Sequence, residues 1–75
     1  MKVPLFAYFA ATANHDFMET AANSALAGLD FTHLGSGVFL RTAEREIQWE
    51  IQADHVDQAK RKLEKLGFRV VIGRR

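Results

Sequence analysis

The chain has 75 residues, 48% of them apolar and 25% charged, with a formal net charge of +1. That length allows one domain, and that balance excludes a disordered chain. With no cysteine, neither a disulfide framework nor a thiolate metal site can support the fold, so packing alone must.

Val3 to Ala11 is apolar on both alternating sets: Val3, Leu5, Ala7 and Phe9 on one side, Phe6, Tyr8 and Ala10 on the other. A strand apolar on both faces sits centrally in its sheet. Pro4 lies near its start, where a lost ladder donor costs least. Lys2, the apolar run and Ala11-Thr12-Ala13 faintly resemble a secretory leader. The stretch is short for one, since leaders run to about 15–30 residues, and it reads as a strand. No stretch approaches the roughly 20 apolar residues that span a bilayer, and a cytoplasmic protein is expected.

Asn14, His15 and Asp16 offer capping oxygens, and Asp16 with Glu19 resembles a capping box. Met18, Ala21, Ala22, Ala25, Leu26 and Leu29 form one helical stripe, ended by Gly28 or Asp30. Phe31 to Arg41 reads as a second strand, interrupted by Gly35-Ser36-Gly37, which marks a bulge, bend or close backbone approach. Arg45 to Gln52 alternates strictly, with Ile47, Trp49 and Ile51 against Glu46, Gln48, Glu50 and Gln52, the pattern of a half-buried strand. Asp54 opens a second helix with Val56, Ala59, Leu63 and Leu66 on its buried stripe, and Gly67 stops it. Phe68 to Ile72 forms the last strand. Strand, helix, strand, strand, helix, strand is the order of an α+β, ferredoxin-like βαββαβ plait. A four-stranded antiparallel sheet with both helices on one face is therefore predicted for residues 1–75.

Catalytic and metal-binding patterns are weak. His15, His33 and His55 match no zinc spacing and read as surface or capping residues. His33, beside the glycine bend, is the one worth testing. Gly35-Ser36-Gly37 precedes a strand, whereas phosphate-binding loops open helices. Acylphosphatases share the topology, but Thr12-Ala13-Asn14 lacks the cation their loop carries after the first strand. No serine or threonine has a base and orienter at hand. A non-enzymatic protein without cofactor or metal is expected.

Charge is lopsided. Residues 1–59 hold three basic side chains against eight acidic ones, while residues 60–75 hold seven against one. Lys60, Arg61, Lys65, Arg69, Arg74 and Arg75 could meet nucleic acid or an acidic partner. The simpler reading is that helical cations complement the C-terminal end of the macrodipole.

The closing segment, with Asp57, Ala59, Leu63 and the Gly67-Phe68-x-Val70 ending, resembles the last strand–helix–strand of ACT-type regulatory domains over about 21 residues. The resemblance implies an amino-acid-sensing regulatory module that dimerises side by side or face to face. Thr12-Ala13-Asn14-His15 departs from it, lacking the glycine that ACT domains usually place there to admit an effector.

With both helices on one sheet face, Phe6, Tyr8 and Phe39, rimmed by Arg41, Gln48 and Glu50, are expected to form an exposed aromatic patch on the other. Such a patch suits protein binding, to a second copy in a homodimer or to a larger complex under regulation or inhibition. An ACT-like small-molecule sensor and a backbone-reading nucleic-acid binder are the alternatives.

Overall fold

Strand β1 (Lys2–Ala10) lies inside a four-stranded sheet of order β2-β3-β1-β4. Its neighbours are β3 (Glu44–Gln52) and β4 (Arg69–Ile72), and β2 (Phe31–Phe39) forms the outer edge beside β3; all pairs are antiparallel. Helices α1 (His15–Ala25) and α2 (Val56–Lys65) complete a ferredoxin-like α+β plait. The computed structural model describes residues 1–39 and 43–73, the side chains of residues 38 and 39 apart.

Register explains which face is core. Val3, Leu5 and Ala7 stand opposite Ile51, Trp49 and Ile47, and side chains alternate along a strand, so one apolar layer is shared by both strands. Leu5, Ala7, Phe9, Ile47, Trp49 and Ile51 pack there against Ala22 and Leu26 of α1 and Val56, Ala59 and Leu63 of α2. Small residues at 22 and 59 let both helices approach closely. Phe68 closes the far end, edge-on to Phe9 with ring centroids 5.5 Å apart.

Several sequence expectations shift locally. The cap of α1 is Asn14, whose Oδ1 accepts from the Phe17 amide at 2.9 Å; Asp16 is exposed, and Glu19 turns toward two histidines. Asp54 does not open α2 directly, because Ala53–His55 first form a 3₁₀ turn. Leu66 is not on the buried stripe. It is the C-cap of α2 and is 41% exposed. Gly67 adopts φ +99°, the Phe68 amide reaches back to the Leu63 carbonyl, and the Gly67 amide to that of Glu64. This Schellman geometry swings Phe68, not Leu66, into the core beside Leu63. Of the alternatives at the glycine segment, a bulge is what forms: it lies between His33 and Gly35, absorbs one residue, and pairing continues to Phe39.

Candidate protein-interaction surface

Even-numbered residues of β1 point to the sheet face that no helix covers. There Phe6 lies between Gln48 and Val71, and Tyr8 between Glu46 and Arg69. Sequence reasoning placed Phe6 and Tyr8 on this face, but their expected exposure is corrected: Phe6 retains 5% and Tyr8 7%. Cross-strand neighbours stand about 5 Å apart, close enough for long side chains to cover a ring. Tyr8 Oη donates to Glu46 Oε2 at 2.8 Å in a buried bond. The Arg69 guanidinium sits 4.4 Å from the Tyr8 ring centroid, a cation–π geometry. Arg69 Nη2 also donates to Glu44 Oε1 at 2.7 Å. That hydrogen bond raises the Arg69 guanidinium above its already high value against the opposing effect of burial, with the charges of Glu44 and Tyr8 adding to it.

Glu44 and Glu46 from β3, Tyr8 from β1 and Arg69 from β4 thus tie three strands together. Gln48 and Glu50 continue the surface as half-buried neighbours. Arg41 lies outside the described residues, as does the Phe39 side chain, although the Phe39 backbone pairs with Glu44. With Arg69 over Tyr8, a base could stack on that ring only by displacing the arginine.

The basic residues do not form one patch. Arg69 belongs to the helix-free face, whereas Lys60, Arg61 and Lys65 ride on α2 across the sheet. Lys60 Nζ lies 3.7 Å from Glu64 Oε2, and Asp57, Lys60, Arg61 and Glu64 line an open depression of about 260 Å³. Two carboxylates inside that group weaken its attraction for phosphates. Arg74 and Arg75 fall outside the described residues.

A second constellation, beyond what the sequence suggested, joins α1 to the sheet. Glu19 reaches His15 Nε2 at 3.1 Å with one oxygen and His33 Nε2 at 3.2 Å with the other. His15 stacks on Phe9, and His33 tilts against Trp49. His15 Nε2 is buried and makes no hydrogen bond, so its 3.1 Å approach to Glu19 is proximity without hydrogen-bond alignment. Trp49 Nε1 donates to Asn23 Oδ1 at 2.9 Å. Asn23 was discoverable in principle, because a buried indole N–H needs an acceptor. Among the described residues, no three of His, Asp and Glu are placed to hold a metal ion, and no helix is long and apolar enough to cross a membrane.

Compared with known proteins, the chain matches no protein family, and no curated protein is similar enough to count as a match.

Proposed function

We propose that this chain is a small non-enzymatic protein-binding module that acts by self-association or by docking on a larger complex, as a regulator or inhibitor. The observation that carries this reading is the interlocked Glu44–Arg69–Tyr8–Glu46 array on the helix-free sheet face. Its polar groups bond to one another across strands, which favours a preorganised binding surface over a reaction centre. Side chains already fixed lose little entropy when a partner docks, and preorganisation of this kind is what improves affinity. Tyrosine and arginine are also the residue types that dominate protein interfaces. Contacts would fall on the accessible parts of this face, Gln48, Glu50, Arg69 and Val71, with Phe6 and Tyr8 supporting them from below.

The test combines sedimentation equilibrium with amide chemical shifts recorded over a concentration series. Self-association through this face predicts a mass rising toward twice 8.5 kDa and concentration-dependent shifts at Gln48, Glu50 and Val71. Gln48→Lys with Glu50→Lys should remove both effects and leave the melting temperature unchanged. A mass that rises while those amides stay still would refute the role of this face in self-association.

A further inference from the structure

The helix side of β2 carries a titratable group where the core layer would otherwise continue. Phe31 stands opposite Ile51 and His33 opposite Trp49, and directly opposed residues share a face, so His33 points toward the helices. An apolar residue there would extend the layer to which Phe31, Trp49 and Ile51 belong. On α1 the same thing happens. His15, Glu19, Ala22 and Leu26 recur at helical spacing, and Ala22 and Leu26 are fully buried, so Glu19 lies on the inward stripe. The two polar exceptions meet: His33 Nε2 is 3.2 Å from Glu19 Oε1. Their side chains keep 30% and 24% of their surface, enough for water to reach both. Strand β2 is bonded to the sheet through β3, and this contact ties it to α1 as well.

We infer that the Glu19–His33 contact is a proton-operated clasp between α1 and β2, tightened when His33 is protonated and loosened when it is neutral. A carboxylate only accepts, and an imidazolium presents an N–H at both ring nitrogens together with a full positive charge. His15 is the competing proton site. Its Nε2 lies 3.1 Å from the second Glu19 oxygen and its Nδ1 3.7 Å from Asp16. Yet His15 opens α1, where the positive end of the macrodipole opposes an imidazolium, and Asp16 is 99% exposed and screened by water. Phe9, which stacks on His15, and Trp49, beside His33, bring no charge to the cluster. His33 is therefore the residue that takes the proton. The folded chain holds that proton more firmly than the unfolded chain, in which Glu19 and His33 are apart. Stability is then gained as pH falls through the histidine range, about 5 to 8, and lost as pH rises through it. The clasp lies on the helix side of the sheet, away from Gln48 and Glu50, and does not depend on the binding role proposed for that other face.

The test follows the histidine side chains by NMR across that range in wild type, Glu19→Gln and His15→Gln. Melting temperatures are taken at about pH 5.5 and 7.5, on either side of the histidine midpoint. A clasp predicts that Glu19→Gln weakens proton binding at His33 roughly threefold, the scale of a partly exposed ion pair. It also predicts that Glu19→Gln lowers the melting temperature more at the lower pH than at the higher. His15→Gln should leave the titration of His33 unchanged. Equal losses at both pH values, with His33 titrating as in wild type, overturn the inference and leave Glu19 a packing residue. A change at His33 as large in His15→Gln as in Glu19→Gln overturns it too, because the proton would then belong to the whole cluster. If Glu19→Gln fails to fold, wild type alone decides: the Glu19 carboxyl carbon must shift together with the His33 transition, and a carboxyl carbon that stays still overturns the inference.

Discussion

Tyr8→Phe removes one oxygen from the helix-free face and leaves the ring beneath Arg69. The lost bond, Tyr8 Oη to Glu46 Oε2 at 2.8 Å, is buried. A hydrogen bond to a charged partner contributes about 1.5–3 kcal/mol net. Glu46 is itself 7% exposed, so the change takes a donor from a buried carboxylate. A chain of 75 residues has a total stability of roughly 4–11 kcal/mol at the usual value per residue. The change should therefore be visible in a urea melt as a midpoint lowered by on the order of 1 M, with the slope unchanged. Tyr8→Ser also removes the ring, whose truncation costs about 3–5 kcal/mol, and it should leave a chain of this size barely folded. The comparison separates two views of the aromatic pair. If the rings were held in reserve for a partner, both variants would melt like wild type. A Tyr8→Phe melt within about 0.5 kcal/mol of wild type, where neutral surface changes fall, would refute the argument that this network belongs to the fold.

Leu63→Ala should cost about 2–5 kcal/mol, because Leu63 is fully buried at the foot of the α2 cap, whereas Leu66→Ala should cost less than about 1. Equal losses in denaturant melts would show that the Schellman turn does not exchange Leu66 for Phe68. The wild type should pass through heparin at physiological salt, since Lys60 is paired with Glu64 and Arg69 with Glu44 on the opposite face. Retention that falls steeply with salt and disappears in Lys60→Glu with Lys65→Glu would overturn this and favour a phosphate-binding role.

The parts of the fold legible in the sequence were those with local periodicity. Ile47, Trp49 and Ile51 alternate with glutamates and glutamines, and the helix-facing set of β1 is Leu5, Ala7 and Phe9, all in the core. Val56, Ala59 and Leu63 follow helical spacing into the same core. What the sequence hid depends on backbone reversals and on register. Leu66 continues the helical spacing perfectly, but Gly67 turns left-handed first, and the stripe passes to Phe68. Asp16 followed by Glu19 imitates a capping box, yet Asn14 is already in place to accept from the Phe17 amide. The burial of Tyr8 needs Glu46, 38 residues along the chain, and Arg69 beyond it, to stand on either side. No periodicity within one segment carries that information.

The helix-free face also changes how the two apolar sets of β1 are read. A strand apolar on both sides suggests that something covers both, and on one side the two helices do so. On the other side the cover comes from the sheet itself: a glutamate bonded to the tyrosine hydroxyl and an arginine laid on the ring, held by a second glutamate. A ring covered in this way contributes to stability without inviting non-specific association, because the outermost layer is polar. The same chain leaves β2 uncharged and open along its edge. The covered face of β1 and the uncharged outer strand β2 are two different surfaces of one small sheet, and it is on the first that Tyr8, Glu46, Arg69 and Glu44 are bonded to one another across strands.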